Sequence, residues 1–143
     1  MEFETSVTIN APIEKVVATF KDESALRFWQ DDFVGFERME GEPWQIGTKK
    51  KLRYKKVELV ETVLESDLPN TFKGLYEFSM GSNTMKSEFK AIDNQTTQYN
   101  ASIEYVEFKG FIMKMMKLLF PGVFKKQTQK WLNQFKAHIE QTQ

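Results

Sequence analysis

The chain contains no cysteine and a single histidine, His138, among its 143 residues. Without cysteine there is no disulfide framework, no thiolate nucleophile and no thiolate metal site. One histidine leaves only carboxylates to hold a metal, and they show no clustered ligand spacing, so neither a metal nor another cofactor is expected. A Ser-His-Asp relay would need His138 to reach a serine and be oriented by a carboxylate, and nothing in the spacing brings them together. A solvated or helix-end role suits His138 better. The chain also lacks a Gly-rich phosphate loop, a dinucleotide fingerprint, internal repeats and low-complexity segments. No window stays uncharged for about 18 residues, which excludes a membrane-spanning helix. Met1-Glu2-Phe3-Glu4-Thr5 has no basic region followed by an apolar run, so no standard export signal and a cytoplasmic location are expected.

What the chain does have is bulk. Hydrophobic residues make up 41% and charged residues 28%, ordinary values, but 13 Phe, 7 Met and 3 Trp form a wide, soft set that either fills a core or lines a pocket. The length fits a single domain, residues 1–143, large enough to bury roughly two thirds of the surface its unfolded form exposes.

Net charge is zero but unevenly laid out. Residues 1–48 carry ten acids against four bases, residues 49–108 balance nine against nine, and residues 109–143 hold seven lysines against Glu140 alone. Two readings of those lysines stand: the solvated face of the last helix, favoured by its dipole, or transient contact with an anionic membrane surface. The run Lys49-Lys50-Lys51-Leu52-Arg53-Tyr54-Lys55-Lys56 invites a nucleic-acid reading, yet overall neutrality gives no broad basic field, so no nucleic acid is expected. An edge or solvent-facing strand protected by lysines explains the run more simply.

Phe3, Thr5, Val7 and Ile9 alternate with polar residues, predicting a first strand. Asn10-Ala11-Pro12 predicts a helix start, with a capping Asn or small residue and proline in the first turn, and Ile13, Val16, Val17 and Phe20 give an inner face. A second short helix around Glu23–Trp29 presents Leu26 and Trp29. Six strands follow, at Val34–Glu40, Thr48–Lys55, Val57–Ser66, Phe72–Met80, Thr84–Ile92 and Thr96–Glu107. Short connections between them predict an antiparallel meander. Ile112, Met115, Met116, Leu119, Phe124, Trp131, Phe135 and Ile139 then recur at helical steps, predicting one apolar stripe laid over the sheet. Pro121-Gly122 interrupts it, giving two pieces, Lys109–Phe120 and Val123–Gln141. The first is either a movable flap or an ordinary short helix over the sheet mouth.

Several stretches carry a resemblance: Val7-Thr8-Ile9-Asn10-Ala11-Pro12-Ile13-Glu14-Lys15-Val16 at the first strand-to-helix junction, Leu26-Arg27-Phe28-Trp29, Gly47-Thr48, Leu68-Pro69 and Leu132-Asn133-Gln134-Phe135-Lys136. Their order and spacing resemble the START-like helix-grip superfamily, SRPBCC, and especially its polyketide cyclase/dehydrase-like branch. The resemblance covers nearly the whole chain. It implies an α+β helix-grip fold: two short helices after the first strand, and a seven-stranded curved antiparallel sheet wrapped around a long C-terminal helix, with a deep cavity between. It does not select an activity, since the fold serves lipid carriers, cyclases and stress proteins alike.

Strand parity nominates the cavity wall. Phe72, Tyr76 and Phe78 share one face, as do Met85, Ser87 and Phe89; Tyr99, Ile103 and Tyr105 continue it, with Leu52 and Tyr54 in the third strand. Trp29, Met115, Met116, Leu119, Phe124 and Trp131 cover it from the helices. The alternative is a filled core. The tyrosines favour a hollow, because a buried hydroxyl needs a partner and an amphipathic ligand needs a few polar groups in an apolar pocket, with Tyr54, Tyr76 and Tyr105 as anchors. Glu61 shares parity with Leu59 and Val63 in a strand apolar on both faces. It is either solvated or a carboxylate facing the cavity, where a tyrosine, Arg53 or a ligand must partner it. The expected function is binding, carriage or sensing of a hydrophobic or amphipathic small molecule such as a lipid, isoprenoid or polyketide, without catalysis. A cyclase/dehydratase using the same cavity, or a protein-interaction module with a packed core, are the alternatives.

Overall fold

The computed structural model describes residues 1–142. Strand β1 (Glu2–Ile9) leads into α1 (Ile13–Lys21), a 3-10 turn at Glu23–Ala25 and α2 (Leu26–Trp29). Six strands follow: β2 (Phe33–Glu40), β3 (Lys49–Tyr54), β4 (Glu58–Asp67), β5 (Thr71–Phe78), β6 (Gly81–Asp93) and β7 (Thr96–Phe108). The chain ends with α3 (Gly110–Leu119) and α4 (Gly122–Gln141). Pro12, rather than Asn10 or Ala11, takes the position before α1, and its carbonyl accepts from the N–H groups of Lys15 and Val16 with no side-chain cap. No helix among the described residues is long and apolar enough to cross a membrane.

All seven strands form one antiparallel sheet in the order β1-β7-β6-β5-β4-β3-β2. The meander from β2 to β7 is the one predicted, and β1 joins its far end across β7. Register shifts in the pairings of β2 with β3, β4 with β5 and β6 with β7 add local bend and twist, the device by which a long sheet curls. The lysine-rich β3 lies inside the sheet, between β4 and β2, so its reading as an edge strand is corrected. The edges are β1 and β2.

Helix α4 fills the concave side and packs against β1 and α2. Leu132, Phe135 and Ile139 are 0% exposed, closing on Val16, Val17 and Trp29 and on the sheet residues Ile9, Tyr99 and Ala101. Its polar face reaches over the β1 edge: Gln129 Nε2 donates to the Ser6 carbonyl at 3.0 Å and Lys136 Nζ to the Thr8 carbonyl at 2.8 Å. Those bonds occupy backbone acceptors that an unguarded edge would offer to another chain. At the helix end Glu140 accepts the Asn10 N–H at 2.8 Å, which with Lys136 holds the carboxyl below its ordinary range.

The apolar stripe does not run unbroken from α3 into α4. Phe120, ahead of Pro121, has φ −136° and ψ 54°, outside helical geometry, as the residue before a proline prefers. That break resets the phase, so the spacing across it no longer names one face. In α3 only Met113 is buried; Met115 and Leu119 are exposed, Met116 is half-buried, and Ile112 faces solvent.

Candidate functional site

Between the concave face and the N-terminal half of α4 lies a cavity of about 600 Å³. At about 30 Å³ per water it has room for about twenty waters, or a drug-sized molecule. The curvature of β3 to β7 supplies the wall, and Phe124, Thr128, Trp131 and Leu132 of α4 supply the roof. Trp131 is fixed there by its indole N–H, which donates to Asp31 at 3.2 Å, while Lys130 binds the same carboxylate at 2.6 Å. Its ring stacks on Tyr54 with centroids 5.6 Å apart.

The floor is a cluster of rings. Phe20 of α1 meets Phe89, Phe72, Trp44, Tyr99 and Phe135 at centroid distances of 5.1 to 6.5 Å, mostly edge to face, the arrangement that aromatic quadrupoles favour. Trp44 joins it from the β2–β3 loop with φ 66°, a left-handed conformation rare for a bulky side chain. Phe89 is sealed beneath this floor against Phe20 and Tyr99, so it packs the core rather than lining the cavity.

Strand pairing builds a polar row across the otherwise apolar wall. Lys50 of β3 is paired with Glu61 of β4, Glu61 with Tyr76 of β5, Tyr76 with Asn83 of β6, and Asn83 with Tyr105 of β7. Paired residues in an antiparallel sheet project to the same face, and all five line the cavity. Lys50 and Glu61 are each 7% exposed, with Nζ 3.5 Å from a Glu61 oxygen and 3.3 Å from Glu23. Arg38 closes the other side of Glu23 at 2.5 Å, so two cations compensate two carboxylates. The Lys50 ammonium also sits 4.9 Å from the Trp44 ring centre. Arg53 does not serve Glu61; it binds Glu37 and Glu58 instead.

Three of the four tyrosine hydroxyls are committed. Tyr76 donates to Glu61 at 2.8 Å, Tyr54 donates to Gln30 at 2.6 Å, and Tyr99 and Ser87 share a bond of 2.9 Å. Among the described residues Tyr105 makes no such bond, and neither does the Asn83 side chain. Burial pushes the Tyr105 phenol up to about 12. Burial raises Tyr54 and Tyr99 further, and burial together with the Glu61 charge lifts Tyr76 well above its ordinary value. Gly74 makes room for this row: a Cβ there would lie 2.8 to 2.9 Å from the Tyr76 ring and hydroxyl. The cavity reaches the surface where Lys56 and Val57 of the β3–β4 turn, Met80 of the β5–β6 turn, and Val123 and Gln127 of α4 meet its rim.

Of the residues nominated from sequence, Trp29, Leu52, Tyr54, Glu61, Tyr76, Phe78, Met85, Tyr99, Ile103, Tyr105, Phe124 and Trp131 lie on the cavity wall. Phe89, Met115, Met116 and Leu119 do not, and Met113 takes the place given to the other methionines. Lys50, Asn83 and Trp44 line the cavity too, beyond the residues expected from sequence. Lys50 has the parity of Leu52 and Tyr54 and Asn83 that of Met85, so parity was a usable signal for both. Trp44 belongs to a loop and has none. His138, in the last turn of α4, stacks on Phe28 with centroids 5.0 Å apart and is not part of the wall. Among the described residues no group of three or more His, Asp or Glu side chains is placed to hold a metal.

No curated protein sequence matches the chain significantly. Solved structures resemble it in fold at low identity. The crystal structure of a conserved protein from Geobacillus kaustophilus has a TM-score of 0.78 at 16% identity, covering 99% of this chain and 97% of its own. The Zhui aromatase/cyclase from Streptomyces has a TM-score of 0.80 at 13% identity, covering 98% and 93%. A START superfamily protein from Mycobacterium smegmatis has a TM-score of 0.76 at 14% identity, covering 99% of each chain. By sequence, residues 1–140 match the family described as polyketide cyclase / dehydrase and lipid transport. With a helix-grip sheet, a hollow under its long helix and a match over nearly every residue, this chain belongs to that family.

Proposed function

We propose that the cavity binds one uncharged, largely hydrophobic molecule with a polar end, a lipid, isoprenoid or polyketide, and that the protein carries or senses it. The observation that carries this reading is the polar row crossing an apolar wall. Its Lys50–Glu61–Tyr76 end is internally satisfied and charge-compensated, which disfavours a charged guest. Its Asn83–Tyr105 end retains donors without a protein partner and lies against the cavity. A guest carbonyl or hydroxyl bonded there leaves its apolar body against Ile103, Met85 and Phe124. The family description, which names both cyclases and lipid transport, is consistent with such a guest.

Native mass spectrometry of protein purified from its own host tests this directly, with an adduct of one apolar molecule per chain as the expected result. Displacement of a fluorescent fatty-acid probe gives the affinity, and Tyr105→Phe weakens it by about tenfold, the upper end for a neutral hydrogen bond. A cavity that takes up no probe and retains no ligand overturns the reading. Catalysis has one observation in its favour, the Glu61–Tyr76 hydrogen bond beside Lys50, a chain of groups able to move a proton. Turnover of a linear polyketide, lost in Glu61→Gln, would establish that second reading.

A further inference from the structure

We propose that α3 and the turn after it form a docking surface for an anionic lipid bilayer. Phe111, Ile112, Leu118, Leu119, Phe120 and Val123 are 45% to 77% exposed, a run of large apolar side chains within thirteen residues. Isolated exposed apolar residues are ordinary; a contiguous group of this size marks an interaction surface. At about 100° per residue, Phe111, Met115 and Leu118 centre on a direction roughly 160° from Met113, the one buried residue of α3. The helix therefore has two apolar faces, Met113 turned to the cavity and the broader one turned to solvent.

Charge selects the occupant. Lys114 borders the outer face, Lys117 lies further round on the same side with its ammonium 5.0 Å from the Phe108 ring centre, and Lys125 and Lys126 follow on the first turns of α4. Among the described residues none of these four has a carboxylate partner, whereas Lys109, Lys130 and Lys136 are paired. Between Glu107 and Glu140 the sequence contains no acid at all. An apolar face accompanied by lysines that no carboxylate neutralises matches the boundary between acyl chains and anionic headgroups, where rings and leucines enter and ammonium groups stay at the phosphates. A second copy of this chain would bring the same cations against themselves, which disfavours a self-paired interface. Val123 belongs both to this patch and to the cavity rim, so docking sets the mouth against the lipid.

Co-sedimentation of the full chain with vesicles tests the surface, using phosphatidylcholine alone and phosphatidylcholine mixed with phosphatidylglycerol. Binding to the mixed vesicles that weakens with added salt is expected, with little binding to the neutral ones. Phe111→Ser with Leu118→Ser abolishes it, and each of Lys114→Gln and Lys117→Gln lowers partitioning by about fivefold. All four side chains are exposed, so thermal melts of these variants match the parent. Equal binding to both vesicle types, binding indifferent to the substitutions, or none to either overturns the proposal. So does light scattering that shows a dimer dissolved by the Phe111→Ser, Leu118→Ser variant. Probe uptake in solution is read on the same preparation without vesicles; its absence counts against the cavity reading and leaves the vesicle result to stand or fall alone.

Discussion

The concave side of the sheet has a closed end and an open end, built from similar residues. At the closed end Phe20, Trp29, Phe72, Phe89, Tyr99, Leu132 and Phe135 interlock, and the last two are 0% exposed. At the open end Tyr105, Met85, Phe124 and Met113 face a cavity, and the apolar residues of α3 face outward. Composition does not separate the two. What separates them is geometry. At the closed end α1 and α2 press against α4 and pack rings between the layers, whereas the rings of the open end, Tyr105, Phe108 and Phe124, meet one another and Phe3 of β1 rather than any ring of α1 or α2. An apolar side chain at the closed end stabilises the fold; at the open end it is available for something else.

The largest expected effect sharpens that division. Phe135→Ala removes a ring that touches Phe20, Trp29 and Tyr99 and leaves a void with little freedom to collapse, a loss of about 4 kcal/mol. Leu118→Ala, the same kind of truncation on the exposed face of α3, stays within about 0.5 kcal/mol. Denaturant unfolding of both variants measures the contrast. Equal losses would mean that α3 packs as tightly as α4, and the comparison would collapse.

Next in size is the ion cluster on the wall between the two ends. Lys50→Met leaves Glu61 buried with Tyr76 as its remaining partner and frees Glu23 to Arg38 alone, at a cost of about 3 kcal/mol. Joining Glu61→Leu to it restores much of that loss, since removing both members of a buried pair is milder than stranding one. A double-mutant cycle by chemical denaturation gives the coupling. Additive losses would show that the two side chains do not sense each other.

The strand order and the inward faces were legible because an antiparallel sheet with one solvated face alternates, and the alternation in β5, β6 and β7 is clean. Glu61 was legible only as an alternative: sharing parity with Leu59 and Val63 left it either solvated or facing the cavity, and the structure buries it. Depth was not. Phe89 and Met85 have the same parity, and only the position of Phe20 decides that one is sealed under the floor while the other lines the hollow. Lys50 was hidden because a lysine within a lysine run looks solvated, and its compensating Glu23 comes from an element far away in sequence. The α3 face was misjudged for a local reason. Helical spacing carries phase only while the helix is unbroken, and Phe120 breaks it. Trp44, in a loop with φ 66°, had no periodic signal to offer.

The smallest expected effects distinguish the two ends by their phenols. At neutral pH Tyr99→Phe removes the bond to Ser87 at the closed end and costs about 1 kcal/mol, while Tyr105→Phe, with no bond to lose, costs less than about 0.5 kcal/mol. Alkaline titration extends this. All four tyrosines have folded pKa values above the unfolded value of 10, so the unfolded chain releases protons first as pH rises. Their contribution is fully present below pH 10 and declines as pH climbs through the folded values. Tyrosinate absorbance should therefore be nearly absent at pH 10, where free tyrosine is half ionised. Tyr105, pushed up to about 12 at the open end, ionises before Tyr99, which follows only as the fold is lost. The Tyr105→Phe variant should then lack the first phase and keep the second. If Tyr99→Phe removed the first phase instead, the end assigned as closed would be the one that admits hydroxide.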